Sequence, residues 1–188
     1  MGFKVITRQL NGIILIEPDV YGDERGFFME SYRSDHFEQL GINSIFIQDN
    51  HSRSGFGILR GLHFQWDKPM GKLIRVTIGK AYIVEVDLRH NSPTLGKWWS
   101  TELSSENKRM LWVPPGFANG FLSLSEACEM QYKCTAVWNK NGESAIRWND
   151  PAIGIDWPVD SPVMSDKDRN ARTLEDWLKQ SESKEFSI

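Results

Sequence analysis

The sequence predicts an all-β fold, an antiparallel sandwich or barrel with a few short peripheral helices, on three observations. Short apolar, β-branched and aromatic runs recur about every eight to twelve residues, with clusters of Gly, Pro, Asn, Asp and Ser between them. Several runs alternate with period two: Tyr82, Val84, Val86 and Leu88 share one face of a strand, while Ile83, Glu85 and Asp87 share the other. Helical patterning is confined to two short stretches.

In chain order, strands are expected at Ile13 to Glu17, Phe27 to Tyr32, Ile45 to Asp49, Ile58 to Gln65, Leu73 to Ile78 and Ala81 to Leu88. Further strands are expected at Trp98 to Leu103, Leu111 to Val113, Gly120 to Leu124 and Glu129 to Trp138. In the last of these, Met130, Tyr132, Cys134, Ala136 and Trp138 share a face, so a tyrosine stands in an otherwise apolar row. The stretch SDHFEQLG reads as a short helix between an N-cap at Ser34 and a glycine stop at Gly41. A second helix, from Leu174 to Gln180, follows a Thr173 N-cap and offers Leu174, Trp177 and Leu178 as one apolar stripe. The polar end SESKEFSI, residues 181–188, is expected to be mobile.

With 188 residues, 40% of them hydrophobic, the chain is long enough for one domain spanning residues 1–188. A net charge of -3 with dispersed Lys and Arg gives no footprint for nucleic acid. A phosphate-bearing small ligand needs only two or three local cations and stays compatible. No apolar run approaches a membrane span or a signal peptide, so a cytoplasmic protein is expected. Cys128 and Cys134 lie six residues apart in one expected strand, too far along it to bridge, and read as reduced and structural.

The segment GILRGLHFQ, residues 57–65, places Arg60 and His63 within a strand of core character. Strict alternation sends the two side chains to opposite faces, whereas a bulge at Gly61 brings both into one cavity. Either a histidine satisfied inside the core or a functional pair fits this stretch taken alone. The four histidines, His36, His51, His63 and His90, form no HxH or HExxH pattern, and neither a phosphate loop nor a GxSxG or dinucleotide fingerprint occurs. Chemistry therefore falls to side chains on a β scaffold.

The segments GDERGFFMESY, QDNHSRS, GILRGLHFQ, GKLIRV, SPTLGKW, LWVPPGFANGF, YKCT, WNDPAIGIDWP and SDKDRNA follow one another from Ile13 to Ala171. In that order they resemble the dTDP-4-dehydrorhamnose 3,5-epimerase family. The resemblance implies a cupin-type jelly roll, a homodimer, no metal, no cofactor, and a nucleotide-diphosphate 4-keto-6-deoxyhexose as substrate. Carbons three and five of such a sugar flank its C4 ketone, so a base aimed at either proton, with help for the enolate, suffices to invert the centre. The resemblance assigns the base to His63, its orienting carboxylate to Asp168, enolate stabilisation to Lys72 and the opposite-face proton donor to Tyr132. Imidazole suits a base, since its unperturbed pKa of roughly 6.5 leaves much of it neutral at physiological pH. Ligand contacts are implied at Arg25, Glu30, Gln48, Asp49, Asn50, Arg60, Glu143 and Lys167. The arginine forks suit phosphate, and Phe27 or Phe28 is placed to stack on the base or to pack in the core.

Three positions depart from the family pattern. Asn119 stands in FANGF where the family has a second histidine, Trp138 replaces a tyrosine, and Ile83 occupies the position of the aspartate that partners that histidine. Losing the imidazole and its carboxylate together avoids a buried charge without a partner. The sugar pocket is thus expected to be re-cut, with Asn119 donating an amide hydrogen bond to a sugar oxygen and Trp138 lining the pocket. One consequence is a single-centre epimerase, acting at C3 or C5 of a dTDP- or CDP-linked 4-keto (di)deoxyhexose. Competing classes are a non-catalytic sugar-nucleotide-binding cupin, a metal-dependent cupin enzyme and a ketoisomerase on the same nucleotide sugars.

Overall fold

Period-two alternation builds two facing antiparallel sheets. The computed structural model describes residues 2–186. Its strands are β1 (Phe3–Gln9), β2 (Ile13–Pro18), β3 (Tyr21–Asp23), β4 (Gly26–Phe28), β5 (Gln48–Ser54), β6 (Leu59–Gln65), β7 (Lys72–Ile78) and β8 (Lys80–Asp87). They continue as β9 (Trp98–Ser104), β10 (Met110–Val113), β11 (Phe117–Ser123), β12 (Cys128–Cys134) and β13 (Glu143–Ala145). Helices are short: α1 (Ser34–Gln39), α2 (Asp166–Arg169) and α3 (Leu174–Leu178). One sheet runs β1-β2-β10-β7-β12-β5, the other β13-β6-β11-β8-β9, and β3-β4 forms a separate hairpin. The all-β expectation holds.

Each strand face buries against a different partner. Between the sheets lie Ile13, Leu15, Ile74, Val76, Ile83, Leu103, Leu111, Phe121 and Met130. The opposite faces of β6, β8 and β11 pack with Trp157, Leu174, Trp177 and Phe186 from the C-terminal segment. The outer faces of β2, β7 and β10 are closed by Phe37 of α1 and by Ile42. Helix α3 starts at the expected cap, with the Thr173 side chain accepting from the Asp176 backbone N–H.

Several boundaries differ from the sequence reading. The cap position of α1 is Arg33, which makes no side-chain cap bond, and Ser34 is already helical. Strand β5 begins at Gln48 and continues to Ser54, so only the end of the expected Ile45 to Asp49 run is strand. Strand β12 ends at Cys134, leaving Trp138 in the following loop. Residues 181–186 are not a loose tail. They form a 3-10 turn at Ser181–Glu185, and Phe186 is 2% exposed, with its ring centroid 5.7 Å from that of Phe64. Residues 187 and 188 of the expected mobile end lie outside the described residues. Cys128 and Cys134 are both free and buried.

The bulge in β6 is present. Asn119 pairs with His63 and Phe121 with Arg60, so β6 carries one residue more than β11 across this interval. Gly61 sits there at φ +125°, and a Cβ on it would come within 2.6 Å of Gly120 Cα. Only glycine lets the two backbones approach so closely.

Candidate active site

The site is where the inter-sheet core turns polar at one end. On β7 the core row Ile74, Val76 is preceded two residues back by Lys72. On β12 the row Cys128, Met130 continues to Tyr132, and on β11 Asn119 stands between Phe117 and Phe121. On β8 the row Ala81, Ile83 continues to Glu85. Because side chains alternate strictly, all four polar groups are carried on the face that further along the same strands is the core.

A cavity of about 530 Å³ opens at this end, lined by Gln48, Asn50, His63, Lys72, Tyr132, Trp138 and Glu143, with His51, Phe64, Gln65, Met70 and Val137. Seven sequence-predicted residues therefore share one cavity of the size that small ligands occupy. An adjoining cavity of about 330 Å³ is lined by Arg60, His63, Lys167 and Asp168, so the bulge does bring Arg60 and His63 to one space. Asp49 lines a third cavity beside Asn50 and Tyr132 and pairs with Lys133 at 2.9 Å.

His63 Nε2 lies 2.6 Å from Asp168 Oδ1. Asp168 is buried at the start of α2, where its backbone N–H is capped by Ser165, and its other oxygen accepts from Gly61 N–H at 3.4 Å. Burial pushes the Asp168 carboxyl up, but the hydrogen bond and charge of His63, with Gly61 and Ser165, outweigh it and hold the group below the usual carboxylate range. Tyr132 is half-buried and faces Asn50 in register. Burial pushes its phenol up, and Cys134 adds to the effect, so it stays protonated. Lys72 Nζ is 5.9 Å from the Tyr132 ring centroid. Burial pulls its ammonium below the usual lysine range, and Glu85 acts in the opposite direction.

The loop that carries Trp138 is held by Gln65, whose Nε2 donates to the Lys68 and Val137 carbonyls and whose Oε1 accepts from Asn139 N–H. Trp138 N–H donates to Gln48 Oε1 at 2.8 Å, which keeps the exposed indole at the cavity rim. Glu143, on the main cavity, pairs at 2.6 Å with Lys167, on the adjoining one.

The loss of a carboxylate along with the histidine, inferred from Ile83, is overturned. Ile83 is a core residue opposite Phe121, while the residue opposite Asn119 is Glu85. Asn119 Nδ2 donates to Glu85 Oε1 at 2.5 Å. The carboxylate is therefore not lost with the histidine. It stands two residues along the same strand face, and the Asn119 nitrogen expected to serve a sugar oxygen is engaged there. Sequence reasoning passed over Glu85, although a glutamate inside the apolar run AYIVEV was the available signal.

Arg25, Phe28 and Glu30 are not brought to the cavity within this chain. Arg25 pairs with Asp23 on the exposed β3-β4 hairpin, Phe28 is 61% exposed, and Glu30 lies 3.6 Å from Arg33. Phe27, the other stacking candidate, sits under Lys108 Nζ at 4.0 Å. Among the described residues no group of three or more His, Cys, Asp or Glu side chains is arranged to hold a metal ion.

The family model for dTDP-4-dehydrorhamnose 3,5-epimerase matches residues 7–176. The chain belongs to the dTDP-4-dehydrorhamnose 3,5-epimerase family. The curated family member from Pseudomonas aeruginosa is 52% identical over 175 residues, covering 92% of this chain and 97% of that one. A solved epimerase from Legionella pneumophila, in complex with dTDP-4-keto-L-rhamnose, superposes at TM-score 0.91 with 45% identity, covering 96% of each chain. A 3'-monoepimerase from Streptomyces bikiniensis, in complex with dTDP-quinovose, is more distant at 31% identity and TM-score 0.84, covering 89% and 86%. The two sheets are thus a cupin-type fold, and the family places the protein among the isomerases.

Proposed function

We propose that the protein inverts C3 and C5 of a dTDP-linked 4-keto-6-deoxyhexose by stepwise proton removal beside the C4 ketone. The single observation that carries the reading is the His63–Asp168 pair at 2.6 Å opening on the same cavity as Tyr132 and Lys72. With Nε2–H given to Asp168, Nδ1 is the ring nitrogen left to take a proton, and the carboxylate stabilises the imidazolium that forms. Loss of the C–H proton moves charge onto the ketone oxygen, which the Lys72 ammonium stabilises. Tyr132, kept protonated by its burial, returns a proton from the other face of the ring, and the centre is inverted. The same machinery serves both carbons, because each is one bond from the same carbonyl.

The nucleotide half is assigned to the polar rim. Gln48, Asn50 and Glu143 line the main cavity, while Arg60 and Lys167 present cations in the adjoining one. Arg25, Phe28 and Glu30 enter this scheme through a homodimer. Val20, Tyr21, Phe27 and Phe28 leave the β3-β4 segment with an exposed apolar surface of the kind that a second copy covers. The free thiols of Cys128 and Cys134 fit a reducing compartment, and no helix of the described residues is long and apolar enough to cross a membrane.

A second reading rests on Asn119, which replaces an imidazole beside the cavity: inversion at one carbon only. Incubating dTDP-4-keto-6-deoxyglucose with the protein and solving the product by NMR decides between them. A product inverted at both C3 and C5 is expected. One inverted centre selects the second reading, and unchanged sugar with every 4-keto hexose nucleotide tried overturns both.

A further inference from the structure

Gln65 ends β6, two residues beyond His63 and on the same face of the strand, and the catalytic scheme above does not use it. It is 5% exposed, and its side chain makes three hydrogen bonds, all to backbone groups outside β6. Nε2 donates both its hydrogens, to the Lys68 carbonyl at 2.9 Å and the Val137 carbonyl at 3.2 Å, while Oε1 accepts from Asn139 N–H at 2.7 Å. The N–H between the last two, that of Trp138, goes to Gln48 Oε1. Three consecutive residues of the β12–β13 connection, none of them in a strand, are thus held by two glutamine side chains. Two further bonds fasten the same connection to the segment just after β6: Asn139 Nδ2 donates to Asp67 Oδ2 at 2.6 Å, and Trp66 N–H to the Gly142 carbonyl at 2.8 Å. Yet Trp138 itself is 53% exposed at the cavity rim. Its backbone is fixed where its side chain has few partners.

We propose that Gln65 is a positioning residue: by clamping the backbone on either side of Trp138 it presets the indole as a wall of the cavity before a ligand enters. An indole on a fixed backbone keeps only two free torsions, so it offers a large contact at a small ordering cost. Because Gln65 and His63 stand on one strand, the wall and the imidazole are also held at a set spacing. That the occupant is a nucleotide sugar rests on the epimerase reading, whereas the clamping of the wall does not.

The test combines amide hydrogen exchange of the full chain, read by NMR, with steady-state kinetics on dTDP-4-keto-6-deoxyglucose. In wild type the Trp138 and Asn139 amides are expected to exchange at least about a hundredfold slower than an open chain. Gln65→Met keeps length and volume but removes all three hydrogen bonds. In this variant the Trp138 amide, which Gln65 does not touch, should exchange about tenfold faster or more. KM should rise about fivefold or more with a smaller change in kcat, the pattern of lost binding. The same substitution made in Trp138→Ala should move KM by less than about twofold, since no indole is left to place. An unchanged Trp138 amide or an unchanged KM in Gln65→Met overturns the proposal, and so does a rise in KM that is equally large without the indole. If Gln65→Met does not fold, wild type decides: Trp138 and Asn139 amides that exchange as fast as an open chain overturn the proposal, and protected ones support it. A wild-type protein that inverts no sugar removes the kinetic arm and the epimerase reading with it, and leaves amide exchange to decide the role of Gln65.

Discussion

His63 and Asp168, 105 residues apart in sequence, meet at 2.6 Å because the bulge at Gly61 turns β6 toward the capped start of α2. The carboxylate fixes which imidazole nitrogen is free. Asp168→Asn is expected to lower kcat by roughly a hundredfold or more with little change in KM, since it disturbs the base and leaves the cavity wall in place. Steady-state kinetics on a 4-keto-6-deoxyhexose nucleotide measures it, and an unchanged kcat contradicts the pairing.

The same pair sets an acid limit on stability. The folded-state pKa of Asp168 lies below its unfolded value of about 3.9. Its contribution is therefore fully present above that value and is lost as pH falls through the lower folded one. Urea midpoints between about pH 2 and 5 should drop less steeply for Asp168→Asn than for wild type. Parallel curves would assign acid unfolding to other carboxylates.

Tyr132 should separate proton removal from inversion. In Tyr132→Phe, His63 still exchanges the sugar proton with solvent, but the opposite face lacks its donor. Deuterium uptake with retained configuration should persist while inversion falls by about a hundredfold or more. NMR of the product in deuterium oxide reads both, and an equal loss of the two would place Tyr132 in binding.

The C-terminal turn should matter to stability. Phe186 is buried against Phe64 and Trp177, so Phe186→Ala is expected to cost about 3 kcal/mol, the range for a buried phenylalanine truncated to alanine. Urea unfolding checks this. A cost below about 0.5 kcal/mol, typical of exposed positions, would mean the segment is loosely held.

The core strands were legible because alternation writes itself in Val, Ile and Leu, as in β7 and β8. Strand β5, QDNHSRS, was not, since its side chains are polar on both faces and only the pairing with β12 makes it a strand. Strand β1 and the three-residue β3 and β13 escaped for related reasons: apart from Ala145 their side chains are half-buried or exposed, and pairing defines them. In the site, His63, Lys72, Tyr132 and Asp168 were reachable through ordered motifs. The partner of Asn119 was not, because which carboxylate faces it is a matter of cross-strand register, and the register chooses Glu85 over Ile83. Phe186 was mistaken for part of a tail because seven polar residues, Lys179 to Glu185, precede it and its burial depends on α3.

The central claim, a His63-based proton transfer on both sides of one ketone, is tested most directly by site-resolved deuterium uptake. dTDP-4-keto-6-deoxyglucose is incubated with the protein in deuterium oxide beside a His63→Ala control and followed by proton NMR. Loss of signal at both C3 and C5 with wild type, slowed by a hundredfold or more in His63→Ala, is the predicted result. Uptake that is equally fast without His63, or none at either carbon with wild type, would contradict the account.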